Sequence, residues 1–150
     1  MEEIKIPIHD FLPHRAPMLM VDYIAEISQK HVVCHFDITD DCIFVADGVL
    51  QELGLIEHMA QTCSSIVGQN FYSPDYNPEV DQRIIGFISG IKKIEIQTLP
   101  SVGNYIRTHA DLSSQFQGDN YSICTMLVRA TVADMTIAVA EINLFLQEGR

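Results

Sequence analysis

The stretch QELGLIEHMAQTCSSIVGQNF, residues 51–71, has the pattern of a long helix that buries one face. Apolar side chains recur at the i, i+3, i+4 spacing of an amphipathic helix, at Ile56, Met59, Ala60, Cys63, Ile66 and Val67. At about 100° per residue, Glu57 and Gln61 fall just past one edge of this stripe, whereas Gly54 and His58 fall opposite it. The chain therefore places a carboxylate and an imidazole side by side in its most apolar helix.

Strand-like segments lie on both sides of this helix. The pattern predicts strands over 18–28, 31–38, 83–97, 104–116, 120–135 and 136–146. Asp47-Gly48, the stretch 118–120 and Ala133-Asp134 are typical of turns, and the acidic, proline-containing stretch 73–82 indicates a surface loop. One helix among antiparallel strands predicts an α+β fold in which a sheet of about five to six strands wraps round one long central helix. This is the arrangement of the hotdog fold, whose members are usually dimers, and it accounts for residues 1–150 as a single domain.

The composition excludes several classes of partner. The chain has 9 Lys plus Arg against 20 Asp plus Glu, a net charge of −11, so we expect no nucleic-acid partner and no anionic membrane partner. We expect no metal either, because no Cys/His group has ligand spacing. The sequence shows no dinucleotide fingerprint and no P-loop.

Other features indicate a cytoplasmic protein. The start of the chain lacks the basic and apolar regions of a signal peptide, and no apolar run has the length of a membrane helix. The four cysteines show no CxxC spacing and lie mostly in apolar runs, as reduced cysteines do.

Three motifs carry a resemblance to a known family. LPHRAPMLMVDYI (12–24) resembles the N-terminal signature of the β-hydroxyacyl-acyl carrier protein dehydratases, and GLIEHMAQT (54–62) resembles their Glu-x-Met-Ala-Gln helix. GFISGIKKIEI (86–96) followed by LPSVGNYI (99–106) is similar to the third strand and Pro-x-x-Gly-Asp turn of that family, with Asn104 in place of the Asp. The combined pattern most resembles the dehydratase-like proteins of aryl-polyene and flexirubin-type pigment clusters, which are thought to work beside a second, complete dehydratase.

One departure from the family pattern concerns catalysis. Complete dehydratases carry a Gly-His-Phe-Pro motif just before the helix, and its His is catalytic. The family spacing places that position at Ile43, and residues 36–50 contain no histidine. Because the His and Glu of one site come from different subunits in that family, a chain with only the Glu could complete a site in a partner that brings the His.

The resemblance, together with the chemistry of dehydration, assigns candidate catalytic residues. Elimination of water needs a base for the α-proton and an acid for the leaving hydroxyl, and Glu57 is the first candidate. His58 is a general-acid candidate, although a structural or solvated role fits it better, and His14 of the LPHR motif is either structural or recruited to the site. Gln61 lies at i+4 from Glu57 and can brace the carboxylate or simply face water.

Further residues are implied as supporting groups. Gly54, Phe87 and Gly90 lie in the matched motifs and could support or line an acyl site, although core packing explains Phe87 equally well. The pair Lys92-Lys93, with Arg107 on the next predicted strand, could receive the phosphopantetheine phosphate or an acidic carrier-protein helix. A solvated strand edge is the alternative for these cations.

The predicted function is that of a 3-hydroxyacyl-[acyl carrier protein] dehydratase-like protein, a hydro-lyase of fatty-acid, polyketide or aryl-polyene type synthesis. It would be a homodimer or the Glu-contributing half of a heterodimer, and would use no cofactor beyond the phosphopantetheine of the carrier protein. The alternatives are a catalytically degenerate partner subunit and a hotdog acyl thioesterase.

Overall fold

A computed structural model describes residues 3–69 and 84–148 of the chain. The strands are β1 (Ile6–Pro7), β2 (Tyr23–Ile27), β3 (His31–Asp37), β4 (Val45–Ala46), β5 (Val49–Leu50), β6 (Ile84–Ile96), β7 (Tyr105–Gln117), β8 (Tyr121–Val132) and β9 (Met135–Glu148). The α-helix α1 (Glu52–Gly68) follows β5, and a short 3₁₀ turn (Ile8–Asp10) follows β1. The predicted loop 73–82 and the end of the predicted helix at residues 70–71 lie outside the described residues.

The strands form one seven-stranded antiparallel sheet in the order β1-β2-β3-β7-β8-β9-β6, with β4 and β5 as a separate small hairpin. Helix α1 packs against β3, β7 and β8. The predicted alternation on β8 and β9 is confirmed, because Met126, Val128, Ala138 and Ile142 are all buried. The sheet therefore has an inner face toward the helix, an outer face, and an edge at β6.

Helix α1 is buried over more of its circumference than its sequence indicates. Gly54, His58 and Ser65, which lie opposite the apolar stripe, are buried, and His58 has no exposed surface. The prediction that this face of the helix points away from the core is therefore wrong. The reason is that several elements cover it. His58 bonds to Met20 of the N-terminal segment and to Thr108 of β7, Ser65 lies against Cys34 of β3, and Gly54 packs against Phe44 and Leu50.

The predicted strand 18–28 is shorter than expected and begins at Tyr23. The backbone of Met18 and Met20 bonds to side chains of α1 instead of a neighbouring strand. The Met20 N–H donates to Gln61 Oε1 at 2.7 Å, and the Met18 carbonyl accepts from Gln61 Nε2 at 2.9 Å. These bonds satisfy the backbone without a sheet partner, so the apolar run is held flat against the helix.

The turn between β8 and β9 confirms its sequence signal. Val132 pairs with Met135, which leaves Ala133 and Asp134 as a two-residue loop with φ values of 49° and 64°. Positive φ at both positions is the geometry of a tight hairpin turn that matches the twist of the strands. The turn therefore sets the register of the two longest-paired strands of the sheet.

We expect Gly54→Ala to destabilise the fold by about 1–3 kcal/mol, as overpacking of a close contact does. A Cβ at this position would lie 2.5 Å from Phe44 Cβ and 2.7 Å from Leu50 Cδ1. Phe44 Cβ is bonded directly to the backbone, so rotation of that side chain cannot relieve the clash. Gly90→Ala is the matched control, because a Cβ there meets nothing within 4 Å. Chemical denaturation of both variants measures the difference, and equal stability would contradict the packing role of Gly54.

Candidate functional site

Glu57 lies in a pocket between α1 and the β6 edge of the sheet. The cavity has a volume of about 240 Å³. Its lining comprises His14 from the N-terminal segment, Glu57, Ala60, Gln61 and Ser64 from α1, Gly86, Phe87 and Ile88 from β6, and Leu144 from β9. The Glu57 side chain is 28% exposed, so the carboxylate is partly withdrawn from water while one side of it stays accessible.

Gln61 orients the Glu57 carboxylate. Its Nε2 donates to Glu57 Oε1 at 2.9 Å, the i+4 contact that the helix spacing predicts. The alternative that Gln61 faces water is wrong, because the residue is only 1% exposed. The same amide bonds to the backbone of Met18 and Met20, which fixes its orientation and therefore the position of Glu57 Oε1.

His14 enters the same pocket from the N-terminal segment. Its Nε2 lies 4.0 Å from Glu57 Oε1, which is too long for a hydrogen bond and leaves the two groups facing a shared space. Burial lowers the pKa of His14, while the Glu57 carboxylate opposes that change. The arrangement brings an imidazole and a carboxylate of one chain together at a cavity, although they are 43 positions apart in the sequence.

His58 lies outside this pocket and is fully buried. Its Nδ1 donates to the Met20 carbonyl at 2.6 Å, and its Nε2 accepts from the Thr108 hydroxyl at 2.7 Å. Because a carbonyl oxygen can only accept, these partners assign the proton of the neutral ring to Nδ1. The ring also stacks on Phe36, with centroids 5.5 Å apart. With both nitrogens engaged away from the cavity, His58 ties α1 to two neighbouring elements, and the solvated alternative is wrong.

Of the other supporting candidates, the structure places only Phe87 at the pocket. Phe87 lines the pocket at the β6 edge and is 52% exposed. Gly54 packs against Phe44 and Leu50, away from the pocket. Gly90 lies further along β6, paired with Asn143, and does not line the pocket. Ile43, at the position where the dehydratase pattern has histidine, is 49% exposed between β3 and α1.

Lys92 and Lys93 lie in a different place, a groove of about 640 Å³ that we call the outer groove. Its lining comprises His31, Lys92, Lys93, His109, Asp111, Leu127, Val128, Arg129, Val139, Ala140 and Glu141. Lys92 Nζ is 3.3 Å from Glu141 and Lys93 Nζ is 3.3 Å from Glu95, and both lysine side chains are highly exposed. Such pairs contribute little stability, so both cations can exchange their partners for a ligand.

The predicted grouping of Arg107 with the two lysines is wrong. Strand β6 pairs with β9, not with β7, so two strands separate Arg107 from Lys93. Arg107 instead forms an ion pair with Glu3 of the N-terminal segment. Arg129 on β8 is the third cation of the outer groove, and sequence reasoning missed it. The alternation along β8 could have identified it. Arg129 lies between the buried Val128 and Ala130, so its side chain points to the outer face of the sheet.

Three further observations bear on what the sequence predicts. Among residues 3–69 and 84–148, no group of three or more His, Cys, Asp and Glu is placed to hold a metal ion. The four cysteines are free thiols, and burial raises the pKa of Cys34 to about 12 and that of Cys124 to about 11, so neither is a nucleophile at neutral pH. In the same described part of the chain, no helix has the length and hydropathy needed to cross a membrane.

Comparison with known proteins identifies relatives over almost the whole chain. A family model described as ApeP-like, ApeP dehydratase, matches residues 6–148. The dehydratase heterocomplex ApeI:P from Xenorhabdus doucetiae is similar in structure, with a TM-score of 0.76 and 20% sequence identity over 97% of this chain and 92% of that chain. No protein with a curated description matches the sequence.

Two other solved structures share the fold at lower identity. A Thr68Ala mutant of a hypothetical thioesterase from Streptococcus pneumoniae TIGR4 has a TM-score of 0.60 and 13% identity over 84% of this chain and 89% of that one. The PaaI protein of the E. coli phenylacetic acid degradation operon has a TM-score of 0.55 and 10% identity, covering 81% and 79% of the two chains. These likenesses confirm the α+β hotdog fold.

The environment of His58 predicts a pH-dependent stability. Burial lowers the pKa of His58 to about 4, from 6.5 in the unfolded chain. Between these two pH values the imidazole is protonated in the unfolded state and neutral in the folded state. The free energy of unfolding therefore decreases as the pH is lowered from 6.5 toward 4, by about 1.4 kcal/mol per pH unit at most from this group. NMR titration of the ring should show no protonation of His58 above pH 5, and a midpoint near 6.5 would contradict the buried, neutral assignment.

Proposed function

Because this chain belongs to the ApeP-like dehydratase family, we propose that it is a working subunit of a dehydratase that removes water from 3-hydroxyacyl thioesters. The acyl chain would be carried on the phosphopantetheine of an acyl carrier protein, in a synthesis of fatty-acid or aryl-polyene type. The observation that supports this function is the position of Glu57, whose carboxylate is held by Gln61 at the wall of a cavity large enough for a small part of a thioester.

The Glu57 carboxylate is suited to one of the two proton transfers. Elimination breaks the Cα–H and Cβ–O bonds, so it needs groups within reach of two adjacent carbons. Gln61 occupies Oε1 of Glu57 and leaves Oε2 for a substrate. Ile88 and Leu144 give the cavity an apolar wall, which strengthens polar interactions between the carboxylate and a bound thioester by excluding water.

We propose a second dehydratase as the partner of this chain. The pocket opens at β6, an edge strand of the sheet, and includes Phe87, which is 52% exposed there. An exposed edge strand beside an open catalytic cavity is a natural place for another hotdog subunit to pair. The ApeI:P structure supports this choice, since it is a dehydratase heterocomplex whose fold matches this chain.

The outer groove is our proposed contact for the carrier protein. Three cations, Lys92, Lys93 and Arg129, line the groove beside two acids, Asp111 and Glu141. In a chain whose net charge is −11, this surface is therefore less negative than its surroundings and would attract an acidic carrier protein more than they do. Lys92 lies four residues along β6 from Ile88 of the pocket, which corresponds to about 13 Å of strand. The flexible phosphopantetheine arm could therefore pass round the β6 edge from the groove to the pocket.

A catalytically degenerate partner subunit is the second candidate. The absence of histidine from residues 36–50, with Ile43 at the family position, favours it. The two candidates differ in one respect, because a degenerate subunit would bind the second dehydratase without any contribution from Glu57. Release of a free thiol from an acyl-CoA would instead indicate a thioesterase.

We expect Glu57→Gln to reduce dehydration by about 10²–10⁴-fold, the usual contribution of a general acid or base. The assay combines this chain, a dehydratase that retains Gly-His-Phe-Pro, and a 3-hydroxyacyl carrier protein, and measures the loss of one water by mass spectrometry. The amide of Gln can still accept from Gln61, so the fold should be unaffected.

Glu52→Gln is the control for this experiment, because Glu52 is an exposed acid at the start of the same helix. It should leave the rate unchanged. If Glu57→Gln keeps full activity and still binds the second dehydratase, the degenerate-subunit candidate replaces the catalytic one.

We expect Lys92→Glu to weaken binding of the acyl carrier protein by several-fold or more, with a strong dependence on salt. The change places a negative charge where an acidic partner would approach. Lys5→Glu is the matched control, since it makes the same change of charge at an exposed position outside the groove. Titration calorimetry measures both, and equal effects of the two variants would exclude the outer groove as the docking surface.

A further inference from the structure

We propose that His14 is the second catalytic group of the Glu57 pocket, so that this chain carries an imidazole and a carboxylate for dehydration within one protomer. The inference rests on the proposed function and deepens it. It differs from a site in which the imidazole comes only from the partner subunit. Three independent observations on His14 support it.

The first observation is the geometry of the pair. His14 Nε2 and Glu57 Oε1 are 4.0 Å apart, and both side chains line the same cavity of about 240 Å³. A direct hydrogen bond would consume both groups in holding the fold. A separation of 4.0 Å instead leaves room for reacting atoms to contact the two groups at once.

The second observation is the state of the ring nitrogens. His14 Nδ1 is buried and has no hydrogen-bond partner among the described residues, and Nε2 faces the cavity. Two other histidines of this chain differ from it. His58 engages both nitrogens at 2.6 and 2.7 Å, and His35, whose Nδ1 is also buried without a partner among the described residues, uses its Nε2 in a 3.1 Å contact with Asp37. A buried N–H without a partner is costly, so the neutral His14 ring favours the tautomer that carries its proton on Nε2, toward Glu57.

The third observation is that the backbone round His14 is held in place. Arg15 Nη1 donates to the carbonyls of Leu12 and His14, at 3.0 and 2.8 Å. The Met18 N–H donates to the Arg15 carbonyl at 3.0 Å, and the Met18 carbonyl accepts from Gln61. Gln61 thus connects to both members of the pair, to Glu57 directly and to the His14 turn through Met18.

The pair can carry out the elimination when it holds one proton. The member without the proton takes the α-proton, and the electrons of the Cα–H bond form the Cα=Cβ bond. The Cβ–O bond breaks, and the other member protonates the departing hydroxyl, which leaves as water. One proton is taken and one is given, so the pair ends with the same proton count and no other reactant is needed.

This requirement predicts the direction of the pH dependence. Burial lowers the pKa of His14, the Glu57 carboxylate raises it, and Arg15 lowers it. These are the charged groups that face the ring among the described residues, because the β6 and β9 parts of the pocket wall contribute Gly86, Phe87, Ile88 and Leu144. Raising the pH removes the shared proton. The rate should therefore decrease on the alkaline side of the pH profile, and this decrease should depend on the His14–Glu57 pair.

The test compares His14→Gln with His9→Gln, an exposed histidine of the same N-terminal segment. Both are assayed in the complex with the second dehydratase, after the motif histidine of that partner has been changed to Ala. We expect His14→Gln to lower kcat by about 10²–10⁴-fold with little change in KM, and to remove the alkaline limb of the pH profile. His9→Gln should behave as the parent complex.

Several outcomes separate this inference from the proposed function. Loss of activity in Glu57→Gln with full activity in His14→Gln overturns the role of His14 and leaves that of Glu57. Complete inactivity once the partner's motif histidine is changed also overturns it, since this chain then supplies no working imidazole. If His14→Gln is unstable, the test is chemical rescue of His14→Ala by added imidazole. Restored activity would support a chemical role of His14, and no restoration would contradict it.

Discussion

The buried amide of Gln61 is the contact on which the site depends. Its oxygen accepts from the Met20 N–H, and its nitrogen donates both to the Met18 carbonyl and to Glu57. The two bonds to Met20 and Met18 join residues 41 and 43 positions apart in the chain, and the bond to Glu57 joins residues one helical turn apart. In the interior, a lost partner costs about 1–3 kcal/mol for each polar group left unsatisfied. The amide therefore holds the N-terminal segment on the helix and orients the carboxylate at the same time.

His58, three residues before Gln61 on α1, makes a second connection between the helix and its neighbours. Its bonds to Met20 and Thr108 attach the helix to the N-terminal segment on one side and to β7 on the other. Polar side chains in an apolar helix are costly to bury unless they find partners, and here the partners are backbone groups of the N-terminal segment and the Thr108 hydroxyl. These polar contacts, together with the packing of Gly54 on Phe44 and of Ser65 on Cys34, explain why α1 is enclosed beyond the width of its apolar stripe.

One line of α1 is left uncovered, and the pocket lies along it. Leu53 is 69% exposed, Glu57 is 28% exposed in its side chain, and Ser64 lies further along the same line. Spacings of four and seven residues place these positions on one helix face. That face points to the free edge of the sheet at β6, so the carboxylate, the imidazole of His14 and the exposed edge meet in one place.

Features with a local cause could be read from the amino-acid order. The 3.6-residue period predicts α1, the two-residue alternation predicts β8 and β9, and positive-φ turn residues mark the hairpin at Ala133-Asp134. The contact between Glu57 and Gln61 belongs to the same group, because i, i+4 neighbours on a helix meet whatever surrounds them.

Features that depend on distant neighbours could not be read in this way. The pairing of β6 with β9 separates Lys93 from Arg107, and the folding of the N-terminal segment onto α1 buries His58 and brings His14 to Glu57. Chain order specifies which groups each element carries, but which elements become neighbours is settled by how the whole set buries its apolar surface and satisfies its backbone.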